Sequence, residues 1–335
     1  MGRKKVFLFS ILFVLLGAIY WVLMQTCNVP VLRIGISAYS GREYFILAYK
    51  QGFFEKAGMH VKIVEFGSLE DAQQAFEWHQ IDGIVCSLVD AMVIHQKAGV
   101  ENPKIVLISS FHRPEFACHL MTKTNIRKLS EVRGKKIGVE VNSFGGYVLA
   151  KALASEGLTL SDVNIVPMDP TAAFTFLTHE RVDGVVTYPP FSKPLKERMA
   201  IHSLYSTAHW PKEMQLNVLL MSSKALCFHL THLRRFVKLW DDLLDLYKNN
   251  SEYYNHLLAL HYSVSDKEAR ESFGAVYPLS IGEQIPLFCS NRYVLDVMND
   301  IKDKVLLNNN LRTGKSNEDS ENILDVSLLR PIKKQ

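Results

Sequence analysis

The sequence contains no Gly-x-Ser-x-Gly turn, no Gly-x-x-x-x-Gly-Lys loop, no His-Glu-x-x-His pair and no Gly-x-Gly-x-x-Gly after its first strand-like run. Each of those motifs fixes a nucleophile, a phosphate, a metal or a dinucleotide, so their absence argues against the enzymes built on them. Cysteine is scarce. There are five in 335 residues, with no Cys-x-x-Cys and no Cys/His spacing, which points to buried free thiols and leaves room for one disulfide at most as an alternative. The twelve histidines are scattered: His112 and His119 stand seven apart in a strand-like region and face opposite sides, while His229 and His232 share a helix face. We expect no metal site and no cofactor. Excess charge is missing too. The formal net charge is +4, and Arg3, Lys4 and Lys5 supply all but one unit of it, so nucleic-acid binding through bulk charge is disfavoured.

What is present is an ordinary globular composition, 48% hydrophobic and 21% charged, on a chain long enough for one large or two modest domains. The amino terminus departs from it. After the basic residues 3–5, Val6 to Met24 forms an uncharged run of 19 residues, about the length that spans a bilayer core as a helix. The basic flank stays cytoplasmic, which sends the rest of the chain outward and tethers it to the cytoplasmic membrane. An uncleaved anchor is preferred to a cleaved signal, whose apolar region is shorter and whose cleavage site carries small residues. Cys27 is a candidate lipidation site, although Met24, Gln25 and Thr26 match poorly the small residues such processing prefers.

From Val31 onward, short apolar runs alternate with amphipathic stretches, as they do in parallel α/β sheets. The grammar then repeats. Ile34-Gly35 returns as Ile137-Gly138 at a separation of 103, Val64 as Val166 at 102, and Ile81-Asp82-Gly83 as Val182-Asp183-Gly184 at 101. Two related α/β lobes follow from this. Strand-like segments at Lys104 to Lys123 and Asn217 to Leu226 carry the chain across between them, with crossings expected near Ser110 to Cys118 and Ser206 to Asn217. Leu233, Phe236, Val237, Trp240, Leu243, Leu244 and Tyr247 form a helical core stripe. A further helix is expected from about Ser290 to Leu307. The boundaries are an anchor or signal segment over 1–28, a first lobe over 29–117 plus 213–310, a second lobe over 118–212, and a mobile polar tail over 311–335.

Ligands of open α/β sheets bind beyond the carboxyl ends of the strands. In the first lobe those ends offer Ser37, Tyr39, Ser40 and Arg42, then Gly67 and Ser68, then Ser87 and Asp90, then Ser109, Ser110 and His112. In the second they offer Asn142, Ser143, Phe144, Gly145, Gly146 and Tyr147, then Asp169, then Tyr188 with Pro189 and Pro190. The Asn142 to Tyr147 stretch opens a helix whose free amides can hold an anion or can simply be capped by Asn or Ser. Arg42 is the basic group of the first strand-end loop and would serve an anionic ligand. Tyr39, Phe144, Tyr147 and Tyr188 would instead sandwich a flat heterocycle.

Lys50 to Gly58 (KQGFFEKAG), Gly67-Ser68 with Asp71-Ala72, Ile81-Asp82-Gly83, Leu129 to Gly138 (LSEVRGKKIG) and Val182-Asp183-Gly184 with Pro189-Pro190-Phe191 resemble the periplasmic substrate-binding proteins of nitrate/sulfonate/taurine-type and thiamine-precursor ABC importers. The resemblance runs from about Val31 to Leu226. It implies an α/β, type II periplasmic-binding-protein fold, two lobes joined by two crossing strands behind the hydrophobic amino-terminal helix. It also implies an extracytoplasmic, monomeric, non-enzymatic protein that captures a small polar, anionic or heterocyclic molecule and presents it to an ABC permease. The alternatives are a membrane-anchored sensor that does not transport and an enzyme similar to the yeast-type pyrimidine synthases, whose cysteine-rich signature is missing here.

Overall fold

The computed structural model describes residues 30–37, 41–96, 101–289, 292–306, 323–325 and 328. The expected amino-terminal helix, Cys27, Tyr39 and Ser40 lie outside them. Among the described residues no helix is long and apolar enough to cross a membrane.

Among the described residues eleven strands follow in chain order: β1 Leu32–Ile36, β2 Val61–Glu65, β3 Gly83–Ser87, β4 Lys104–His112, β5 His119–Lys123, β6 Lys136–Val139, β7 Asn164–Pro167, β8 Gly184–Thr187, β9 Ile201–Ser206, β10 Leu216–Met221 and β11 Val276–Pro278. They form a six-stranded sheet in the order β11-β4-β10-β3-β1-β2 and a five-stranded sheet in the order β7-β6-β8-β5-β9. The fold is α/β with two sheets. In each, three parallel strands from one βαβαβ half are followed by an antiparallel strand, β10 in the first sheet and β5 in the second.

The repeat read from the sequence is a repeat of register. Ile34 stands opposite Gly83 and Gly35 opposite Ile84, just as Ile137 stands opposite Gly184 and Gly138 opposite Val185. Glycine leaves room here for the ends of neighbouring side chains. A Cβ on Gly35 would come within 2.3 Å of Ile81, and one on Gly138 within 2.5 Å of Met168. The helical stripe also behaves as expected: Leu233, Phe236, Val237, Trp240 and Leu243 are buried, and the Trp240 indole donates to the Leu279 carbonyl at 2.9 Å. That stripe spans two consecutive helices, Ser223–Lys238 and Trp240–Asn249, packed on the first sheet's core.

Two expectations change. The links between sheets are not continuous strands. The first, after β4, carries a 3-10 turn at Pro114–Phe116, and the second, before β10, carries two, at Thr207–His209 and Lys212–Gln215. Pro114 and Pro211 lack the amide a sheet ladder needs, which breaks the strands at those points. The links are tied together, with the Cys118 amide donating to Thr207 Oγ1 at 3.1 Å and the Thr207 amide to the Cys118 carbonyl at 3.0 Å. The carboxyl-terminal tail is the other change. Ile323 and Leu328 are buried, Leu324 bridges Ile105 on β4, and the Asp325 amide donates to the Ile105 carbonyl at 3.0 Å, so apolar residues in the tail return to cover an edge of the first sheet.

Of the thiols, Cys86 and Cys118 are buried and free, as expected, whereas Cys227 is free but exposed. Burial pushes the Cys118 thiol up, far from thiolate reactivity.

Candidate functional site

Between the carboxyl ends of the two sheets lies a cavity of about 400 Å3, lined by Glu70 and Gln73 from the first lobe and by Glu140, Val141, Asn142, Ser143, Pro167, Met168 and Asp169 from the second. A narrower gap continues from it past Ser37, Ser68, Glu140, Asp169 and Tyr188. Local chain geometry puts these groups there. Ser68 caps the helix Leu69–Glu77 by accepting from the Asp71 amide at 3.0 Å, which places Glu70 in the first turn and Gln73 just beyond it, both lining the cavity. β6 ends at Val139, and Asn142 takes φ 58°, so the chain turns sharply and leaves Glu140 at the strand end. Asp169 follows β7 and accepts from the Thr171 amide at 2.8 Å, capping a 3-10 turn.

The electrostatics of this space are acidic. Glu140 is pushed up to about 8 by burial and by the neighbouring charges of Asp90, Asp169 and Glu70. No Lys, Arg or His lines the cavity or the gap among the described residues. Among them, no three His, Cys, Asp or Glu side chains come together in a way that could hold a metal ion.

Of the residues singled out from the sequence, Ser68, Asn142, Ser143, Asp169 and Tyr188 line the cavity or the gap. Arg42 does not. Its guanidinium donates to the Ser37 carbonyl at 3.0 Å and lies 4.2 Å from the centroid of the Tyr262 ring, lining a separate apolar cavity with Tyr262, Pro189, Pro190 and Lys193. The expected anion site at the start of the helix Phe144–Ala154 is filled by protein. Ser143 Oγ accepts from the Gly145 amide at 3.0 Å, and the Phe144 amide donates across the lobes to Asp90 Oδ1 at 3.2 Å. Asp90 is fully buried, and its other oxygen accepts from the Ser87 amide and hydroxyl at 2.9 and 2.6 Å. The carboxylate at this helix end is the chain's own.

Ser109, Ser110 and His112 also miss the cavity. They surround Asn217 on β10, whose side chain donates to Ser110 Oγ at 3.0 Å and meets His112 Nε2 at 3.2 Å, while its carbonyl accepts from Ser109 Oγ at 3.3 Å. Burial lowers His112 to about 4, so this ring is neutral. The aromatic sandwich does not assemble either. Phe144 packs between the His112 and Trp210 rings, each 6.1 Å away, and the Tyr147 hydroxyl donates to Asp300 beside Lys151, whose ammonium lies 3.1 Å from the same carboxylate. Tyr188 remains at the gap, 5.6 Å from the ring of Phe191. Glu70, Gln73 and Glu140 were not singled out from the sequence. Val139-Glu140-Val141 reads as one alternating strand, and only the early end of β6 exposes Glu140 as a strand-end residue.

Residues 43–245 match the family model described as NMT1/THI5 like. The chain belongs to the NMT1/THI5-like family. A binding protein of Brucella abortus is 27% identical over 174 residues, which cover 51% of this chain and 52% of that relative. A thiamine biosynthesis protein of Haemophilus influenzae is 27% identical over 141 residues, covering 42% of this chain and 44% of that protein. The chain thus spans about half the length of the curated relatives it matches. Among solved structures, the periplasmic aliphatic sulphonate binding protein SsuA of Escherichia coli superposes with a TM-score of 0.67 at 16% identity, over 90% of this chain and 99% of that one. At that identity the likeness is one of fold: the two-sheet architecture is that of periplasmic binding proteins.

Proposed function

We propose that the chain is an extracytoplasmic solute-binding protein that takes a small polar molecule into the cavity between its two sheets, and that it works by closure about the two tied links. The observation that carries this is the cavity itself. Its walls come from both lobes, and among the described residues the chain passes between those lobes through paired segments that can turn together. Ligand contacts made to both walls exist only in the closed form, so binding draws the population toward it. A membrane permease would then read the closed form, which gives the protein its place in an import system. The Brucella relative's name as a binding protein and the resemblance to importer components support this reading.

The experiment is a thermal-shift screen of sulfonates, small inorganic anions, amino acids, amines and pyrimidines, followed by small-angle scattering with any hit. A solute held at a hundredfold excess over its dissociation constant adds about 2.7 kcal/mol to stability. A selective rise in midpoint together with a fall in radius of gyration is the expected outcome. A hit that is chemically converted during incubation would replace binding by catalysis. No rise with any class would remove the solute-binding reading.

A further inference from the structure

The cleft's ionisable groups are all acids, and they come from both sides. Glu70 belongs to the first lobe and Glu140 and Asp169 to the second, and Glu70 and Asp169, with the fully buried Asp90 behind them, act on the Glu140 carboxyl. An empty cleft lined by Glu70 on one side and by Glu140 and Asp169 on the other, with no cation among its described lining residues, works against its own closure. A second and independent feature lies in the same space. Ser37 at the end of β1 is only 2% exposed, its hydroxyl has no hydrogen-bond partner, and it lines the gap beside Glu140 and Asp169. A buried hydroxyl without a partner is costly unless a ligand supplies one.

We propose that the solute is a small organic cation, such as a protonated amine, an amidine or a charged heterocycle, and that its positive charge is what allows the two acidic lobe faces to close. This rests on the solute-binding reading above. Glu140 and Asp169 hold the cationic group as charge-assisted acceptors, and Ser37 hydrogen-bonds the polar remainder. A metal ion is the poorer candidate, because the described carboxylates, thiols and imidazoles nowhere gather as a metal site. The cavity of about 400 Å3 lies in the range that holds small molecules. The carboxyl group of Glu140 is held protonated near neutral pH by burial and by Asp90, Asp169 and Glu70. A bound cation reverses that balance, so Glu140 releases its proton as the solute arrives, and affinity falls as the medium is acidified.

The test is isothermal titration of the full chain with agmatine, choline and thiamine as cations, methanesulfonate and nitrate as anions, and cytosine as a neutral heterocycle, in two buffers of different ionisation enthalpy. The account expects a cation to bind with proton release near pH 7, and its affinity to fall by up to about tenfold per pH unit below that. Glu140→Gln should weaken this binding at least about tenfold and abolish the proton release, and Asp169→Asn should weaken it less. Asp169 is half-buried, so that variant keeps the test intact if Glu140→Gln fails to fold. Binding of an anion or of cytosine in place of the cations would overturn the charge assignment and leave the solute-binding reading standing. A cation that binds both variants as it binds the parent chain would overturn the site. No binding by any of the six probes would count against both readings.

Discussion

At the amino-terminal edge of the first sheet, Asp82 accepts from the Arg33 amide at 2.8 Å, and at the same edge of the second, Asp183 accepts from the Lys136 amide at 2.9 Å. The turns before them match as well: His79 and Glu180, 101 residues apart, take φ of 58° and 55°. At the carboxyl ends this agreement stops. β3 ends in Ser87 and is followed by the buried Asp90, whereas the corresponding positions after β8 hold Tyr188 and Phe191. β1 is followed by Ser37, and β6 by Glu140. The ends that only build the sheet have kept one solution, and the ends that face the cleft have separate chemistry. Ligand-facing loops are free to differ because the frame does not depend on them.

Asp90 and Phe191 offer the sharpest break in that comparison. Asp90→Ala should cost about 3 kcal/mol in urea unfolding, because it leaves the buried Ser87 and Phe144 amides without their acceptor, whereas Phe191→Ala should cost under about 1 kcal/mol. Equal losses would mean that Asp90 does not tie the lobes. The paired glycines should also separate. A Cβ on Gly184 would meet the Met121 carbonyl oxygen at 2.9 Å, a backbone atom that cannot yield, while on Gly83 the closest atom is the Met221 sulfur at 2.3 Å, on a flexible side chain. Denaturation midpoints should place Gly184→Ala about 3 kcal/mol and Gly83→Ala about 1 kcal/mol below the parent. At the conserved-geometry edge, Asp82 also receives the Arg33 guanidinium at 2.9 and 3.0 Å, so Asp82→Ala should cost about 2 kcal/mol and Asp183→Ala about 1 kcal/mol.

The last effect is a dependence on pH that differs between the lobes. Glu140, at about 8 against an ordinary 4.5, keeps a proton that the unfolded chain has already lost, so its contribution to stability falls as pH rises between those values. His112 has the opposite sign. At about 4 against 6.5, it leaves the unfolded chain with the extra proton, and stability is lost as pH falls through that window. Between pH 6.5 and 8 only Glu140 of the two contributes, and stability curves of Glu140→Gln should be flatter there than those of the parent. A parallel pair of curves would mean that Glu140 titrates normally.

The frame was legible because it leaves a periodic trace. Ile-Gly and Asp-Gly at matched spacing mark where parallel strands cross, and Leu233 to Leu243 mark a helix face by their spacing alone. The cleft leaves no such trace. Arg42 stands in a strand-end loop, yet it is drawn away by the Tyr262 ring, 220 residues further along the chain. Tyr147 faces inward for a similar reason, since its partner Asp300 belongs to a helix near the carboxyl terminus. Nothing in the local pattern around either residue reports on that distant partner. Glu140 was hidden by the reverse error, a strand that stops two residues sooner than its alternating pattern.

The most direct test is the distance between dyes on Gln74 and Thr171, exposed positions on opposite lobes, in the full chain with Cys27, Cys227 and Cys289 replaced by Ser. The account predicts a long distance in the empty protein at pH 9 and a short one either with a saturating organic cation or in the Glu140→Gln/Asp169→Asn variant without solute. A distance that ignores both the cation and the loss of the two carboxylates would contradict it.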